Sequence, residues 1–76
     1  MELNDFIIKF AEQFDSMDVS DFSAETKFKE LDDWSSITSL YTIAMIDENY
    51  GIQITGSDIK GSETLSDLFE KIKAKK

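Results

Sequence analysis

Residues 31–40 read LDDWSSITSL, and this stretch decides the fold because an acidic loop turns here into an amphipathic helix. Ser35 is predicted to be the N-cap, which places Ser36 at the first helical position with its hydroxyl toward solvent. The first amides of a helix have no intrahelical acceptor and the macrodipole makes this end positive, so a bound anion is stabilised there. The position therefore suits a serine that carries a phosphate-linked group. The alternative is that both serines are only capping residues, which is the usual role of serine at a helix start.

Three stretches of the chain carry apolar residues at helical spacing. In residues 3–14 these residues form a single stripe along one face. Residues 37–50 are apolar around more of the circumference than one buried face requires. Residues 65–72 give a third stripe, with Thr64 as a plausible N-cap and lysines in the last turn, where the dipole favours them. We therefore predict three longer helices.

The remaining pattern adds one short helix and no sheet. Residues 55–61 leave room for one helical turn around Ile59, while the Ile-Gln-Ile run at 52–54 is too isolated to build a sheet. The predicted fold is all-α: a small antiparallel bundle of three longer helices plus one short helix, with a long loop between helices one and two. The whole of 1–76 is predicted to be a single domain.

The connection over residues 15–35 is long for a small bundle and has no clear periodicity. Val19, Phe22, Phe28 and Leu31 are spread along it, and we expect them to hold it against the bundle. Its acidic residues lack the order of a calcium-binding loop, so no metal site is predicted.

The composition excludes several kinds of site. The chain has 76 residues, enough for one small domain with a modest core. It contains no cysteine and no histidine. Disulfides, thiolate ligands, and catalysis by Ser–His or Cys–His pairs are therefore excluded. A stand-alone enzyme is not expected.

The charge is strongly acidic and unevenly distributed. Sixteen acidic residues against eight lysines give a net charge of −8, and residues 1–70 hold all sixteen acids but only four lysines. Such a surface repels nucleic acid and anionic membranes and attracts basic protein patches, although net charge can also serve solubility alone. With no signal-peptide pattern and no apolar run of about twenty residues, we expect a cytoplasmic monomer without membrane insertion.

Several features follow one another in a characteristic order. Ser36 opens the second helix, Tyr50 lies near its end, the Ile-Gln-Ile run at 52–54 follows, and residues 64–68, TLSDL, open the last helix. This order resembles the acyl carrier protein family. In that family a serine opens the second helix, an aromatic residue precedes an Ile-x-Ile run, and a Thr-Val-x-Asp motif opens the last helix. The resemblance covers nearly the whole chain.

The residues around the serine include further matches to the family pattern and also differences from it. Phe28 and Leu31 match the family's hydrophobic positions before the serine, and Trp34 resembles small carriers that read Trp-Asp-Ser-Leu. Ser35 stands where the family has an aspartate, which family members use when the modifying transferase docks. Ile37 stands where the family has leucine.

The resemblance implies a carrier rather than a catalyst. A phosphopantetheinyl transferase would move 4'-phosphopantetheine from coenzyme A to the hydroxyl of Ser36. The terminal thiol would then carry acyl intermediates as thioesters to fatty-acid, polyketide-like or related biosynthetic enzymes. The implied partners are acyl-transfer and synthase enzymes with basic docking patches.

The second helix also carries the candidate partner surface. Carriers present the positions after the serine to their enzymes, and acidic residues further along meet arginines and lysines there. The positions in this sequence are Ile37, Leu40, Tyr41, Ala44, Asp47 and Glu48. Thr38 and Tyr41 stand where the family has acids, so this face is less charged and more aromatic. Two alternatives stay open: the apolar members belong to the core, or the chain is an unmodified acidic interaction module that docks through this helix.

Overall fold

The computed structural model describes residues 2–15 and 17–75, which form four helices and two 3₁₀ turns. The helices are α1 (Leu3–Ala11), α2 (Ser36–Tyr50), α3 (Gly56–Lys60) and α4 (Leu65–Ala74). The 3₁₀ turns span Val19–Asp21 and Phe28–Glu30, both in the connection between α1 and α2. The described residues contain no strand, and the predicted all-α bundle is confirmed.

The core lies between α1, α2 and α4. Helix α1 contacts both of the other long helices, and α3 lies against α2 and α4. Phe6 and Phe10 of α1, Ile46 of α2, and Leu68 and Ile72 of α4 are completely buried. The stripes predicted for the first and last helices therefore face this core. Within the described part of the chain, no helix is long and apolar enough to cross a bilayer.

The helix ends are set by local hydrogen bonds that the sequence encodes. Thr55 starts α3 and Thr64 starts α4, and each hydroxyl accepts the backbone N–H three residues ahead, at 3.3 and 3.1 Å. The carboxylates of Asp58 and Asp67 accept the N–H of Thr55 and Thr64 in return, at 2.9 and 3.2 Å. Each helix thus begins with a complete capping box. Gly51 ends α2 at φ 66°, a left-handed conformation that favours glycine.

The long connection between α1 and α2 is fixed to the start of α4 by two backbone hydrogen bonds. The N–H of Leu65 donates to the carbonyl oxygen of Thr26 at 3.1 Å, and the N–H of Ser66 donates to that of Ala24 at 2.9 Å. These are first-turn amides that have no acceptor inside their own helix. The loop therefore supplies the acceptors that α4 lacks.

The apolar residues of this connection behave as predicted except at one position. Phe22 and Phe28 are buried, and Leu31 is half-buried against the core. The expectation for Val19 is wrong, because 41% of it is exposed. Asp18 caps the turn that begins at Val19, and this tight turn faces solvent while the next apolar residue, Phe22, enters the core.

Acid is expected to weaken the caps of α3 and α4. Backbone N–H donation from Thr55 lowers the pKa of Asp58, and donation from Thr64 and Glu63 lowers the pKa of Asp67. Their folded pKa values lie below the unfolded value of about 3.9. This stabilisation is therefore complete above about pH 4 and is lost as the pH falls through the folded values.

The change Asp67→Asn should accordingly reduce the loss of unfolding free energy between about pH 7 and pH 3. Urea denaturation followed by circular dichroism measures it. Asp47→Asn, an exposed acid outside the caps, is the matched control. Equal pH dependence in wild type and Asp67→Asn would contradict the assignment.

Candidate functional site

Ser36 occupies the first position of α2, is exposed, and follows an N-cap serine as predicted. The capping role belongs to Ser35, whose Oγ accepts the N–H of Thr38 at 3.3 Å. The Thr38 hydroxyl in turn donates to the carbonyl oxygen of Asp33 at 3.1 Å. Because Ser35 makes the cap, the hydroxyl of Ser36 is not needed for it and is presented at the helix start.

The residue before the two serines is held firmly by the core. The ring of Trp34 stacks on Phe10 with centroids 6.2 Å apart and planes 24° apart, and meets Phe28 edge-on at 5.1 Å. Aromatic pairs in these arrangements add stabilisation beyond their buried area. The direction in which the chain enters α2, and hence the position of Ser36, is therefore set by aromatic packing.

A cleft of about 660 Å³ opens beside Ser36, between the start of α2 and α3. Apolar side chains, serine hydroxyls, a glycine and two lysines line it. They are Lys29, Trp34, Ser35, Ser36, Ser39, Leu40, Gly56, Ser57, Ile59 and Lys60. The Nζ of Lys29 donates to the carbonyl oxygen of Lys60 at 2.7 Å and so joins the second 3₁₀ turn to the end of α3. No pattern in the sequence indicates this cleft, because its two sides are far apart along the chain.

The electrostatics of the α2 start differ from those of the other helices. The first turns of α1, α3 and α4 contain Asp5, Asp58 and Asp67 respectively, whereas the first turn of α2 contains no acidic residue. A carboxylate in the first turn offsets the positive end of the macrodipole. The start of α2 has the neutral hydroxyl of Ser35 as its cap, so no first-turn carboxylate offsets the positive end of its macrodipole.

The outer face of α2 is exposed over its whole length. Ile37, Leu40 and Tyr41 are 62%, 66% and 64% exposed. Ala44, Asp47 and Glu48 are exposed as well. The alternative that this apolar set belongs to the core is therefore wrong, since the long loop does not cover it. Exposed apolar residues grouped on one helix face are typical of an interaction surface.

The inner face of α2 contains a polar residue that the sequence pattern did not indicate. Thr42 is completely buried, and its Oγ1 donates to the carbonyl oxygen of Thr38 at 2.9 Å. The Nε2 of Gln13 donates to Thr42 Oγ1 at 3.2 Å. Ile46 is buried beside it, while Ile43 and Tyr50 are half-buried. The apolar spacing gave no signal for Thr42, because threonine is counted as polar.

Comparison with protein-family models, with curated proteins and with solved structures gives no match to this chain. Across residues 2–15 and 17–75, no group of three or more acidic side chains is placed to hold a metal ion. What supports a function for this site is therefore its geometry and the order of sequence features around Ser36.

Two alanine substitutions on α2 should distinguish side chains on its exposed outer face from side chains in the core. Leu40→Ala is expected to change the free energy of unfolding by less than about 0.5 kcal/mol, because Leu40 is exposed. Ile46→Ala should cost about 2–5 kcal/mol, because Ile46 is completely buried. Chemical denaturation followed by circular dichroism measures both. A loss above about 2 kcal/mol for Leu40→Ala would place that side chain in the core.

Proposed function

We propose that the protein is an acyl carrier whose 4'-phosphopantetheine group is attached to Ser36. The observation that carries the proposal is the exposed position of Ser36 at the start of α2, directly after a serine that already makes the cap. A phosphopantetheinyl transferase would bring coenzyme A to this hydroxyl. The Ser36 oxygen would lose its proton to a base of the transferase and form a bond to the pantetheine-side phosphorus of coenzyme A. The diphosphate P–O bond would break, adenosine 3',5'-bisphosphate would leave, and a phosphodiester would remain on Ser36.

The helix start favours that product. First-turn amides without intrahelical acceptors and the positive end of the macrodipole stabilise a negative phosphodiester at this position. The absence of an acidic residue from the first turn of α2 means that no carboxylate there repels it. The thiol at the end of the arm would then carry the acyl group as a thioester, and the protein itself needs no catalytic base.

The exposed face of α2 is the proposed docking surface for the transferase and for acyl-transfer or synthase enzymes. Ile37, Leu40 and Tyr41 would supply apolar contact beside the modified serine. Asp47 and Glu48 are exposed further along the helix and would face basic patches on the enzymes. A carrier needs short-lived complexes that form quickly, and opposite charges raise the association rate.

A second candidate is an acidic interaction module that docks through the same face and is never modified. It is favoured by the exposed apolar side chains alone, since an amphipathic helix face can bind a hydrophobic groove without any prosthetic group. The two proposals share a surface and differ in what happens at Ser36.

Intact mass separates the two candidates. Incubated with coenzyme A and a transferase of broad specificity, the protein should gain the mass of one phosphopantetheine, because Ser36 is exposed. Ser36→Ala should gain nothing. Ser35→Asp keeps a capping acceptor and restores the carboxylate of the family pattern, and it should be modified faster than wild type.

Three outcomes would count against this reading. If several transferases fail to modify the wild-type protein, the interaction module becomes the better proposal. Modification of Ser36→Ala would move the attachment to another residue. Equal or slower modification of Ser35→Asp would mean that a carboxylate at position 35 is not what the transferase recognises.

Charge reversal on α2 should slow docking. Replacing Asp47 and Glu48 by lysine is expected to lower the association rate with the transferase about tenfold at low ionic strength, with little change in dissociation. Stopped-flow fluorescence measures both rates, and added salt should shrink the difference. The same reversal at Glu12 and Asp15, which are exposed outside α2, is the control. An equal slowing by both pairs would show that net charge alone is recognised.

A further inference from the structure

Cations are scarce in this protein outside its C-terminal end, and two of them lie beside Ser36. Residues 1–70 contain sixteen acids and only four lysines. Two of those four, Lys29 and Lys60, line the cleft next to Ser36, and none of the described residues that line it carries a carboxylate. The cleft is therefore a cationic site on an otherwise acidic molecule.

Hydrogen bonding fixes the side chain of Lys29, and neither lysine of the cleft forms an ion pair with a described carboxylate. Lys29 is half-buried and its Nζ donates to the carbonyl oxygen of Lys60, which leaves further N–H donors on the same ammonium group. Ion pairs between described residues join Lys73 to Glu70 and Lys75 to Asp58, and neither cleft lysine takes part in one. Lys29 also borders a smaller cleft with Lys27, Glu30 and Glu63, and no ion pair joins it to either glutamate.

The side chains that line the cleft indicate what kind of molecule it could bind besides an anionic group. Its volume of about 660 Å³ is far larger than one phosphate group needs and lies in the range of small-molecule sites. Trp34, Leu40 and Ile59 give it apolar walls, while Ser39 and Ser57 add hydroxyls that can bind amides. A phosphoryl group followed by an uncharged, amide-containing chain has this combination of charge and polarity.

We propose that this cleft binds the phosphoryl group and the adjoining part of the prosthetic arm, with Lys29 and Lys60 as the counter-charges of the phosphodiester. The inference rests on the proposed attachment to Ser36 and adds that the arm lies against the protein rather than free in solvent.

The test uses free phosphopantetheine on the unmodified protein, so that it does not depend on any transferase. In a ¹H–¹⁵N NMR titration, shifts should concentrate on the Trp34 indole N–H and on the amides of Ser57 and Lys60. Lys29→Gln should weaken binding about two- to fivefold, as expected for the loss of one partly exposed charge contact. Lys27→Gln removes the same charge from an exposed neighbour outside this cleft and should bind like wild type. Inorganic phosphate should bind more weakly than phosphopantetheine.

Different results would contradict the cleft assignment and the proposed carrier function. Equal weakening by Lys27→Gln and Lys29→Gln, equal affinity for phosphate and phosphopantetheine, or shifts scattered over the surface would overturn the cleft assignment. The second arm compares spectra before and after modification of Ser36, and the same amides should shift. A modified protein whose Trp34 and Ser57 signals do not move would overturn the inference and leave the carrier function intact. If free phosphopantetheine binds in the cleft but Ser36 is never modified, the cleft assignment stands and the carrier function is contradicted.

Discussion

The packing of other aromatic rings around Phe10 is the contact on which the rest of this structure depends. Its ring lies 5.4 to 6.3 Å, centroid to centroid, from five others. These are Phe6, Phe14, Phe22, Phe28 and Trp34. The last four belong to the connection between α1 and α2, which has little regular structure of its own. Because this connection leads directly into α2, one buried side chain of α1 determines where the candidate site begins.

Local patterns were predicted from the sequence, and contacts between distant residues were not. The helical stripes and the caps at Ser35 and Thr64 depend on residues three or four apart, so the sequence displays them directly. The burial of Thr42 depends on Gln13, 29 residues away, and no spacing rule links the two. The cleft depends on Lys29 reaching the end of α3, 31 residues along the chain. For the same reason exposure of the outer face of α2 could be settled only once the path of the loop was known.

The candidate site differs from the starts of α3 and α4 in having no carboxylate in the first helical turn. In α3 and α4 an aspartate completes the capping box, and its charge offsets the positive helix end. The matching position of α2 is Thr38, which carries no charge, and the first turn of this helix contains no acidic residue. An anion attached to Ser36 would supply the missing charge.

The hydrogen bonds from the start of α4 to the loop have a consequence for how the molecule opens. The carbonyl oxygens of Ala24 and Thr26 accept the first amides of α4, so the loop cannot detach without exposing those amides to water. Hydrogen exchange at Leu65 and Ser66 therefore reports on the loop as well as on the helix. The loop and α4 therefore form one cooperative unit. The segment that leads to Ser36 is stabilised by its hydrogen bonds to this last helix.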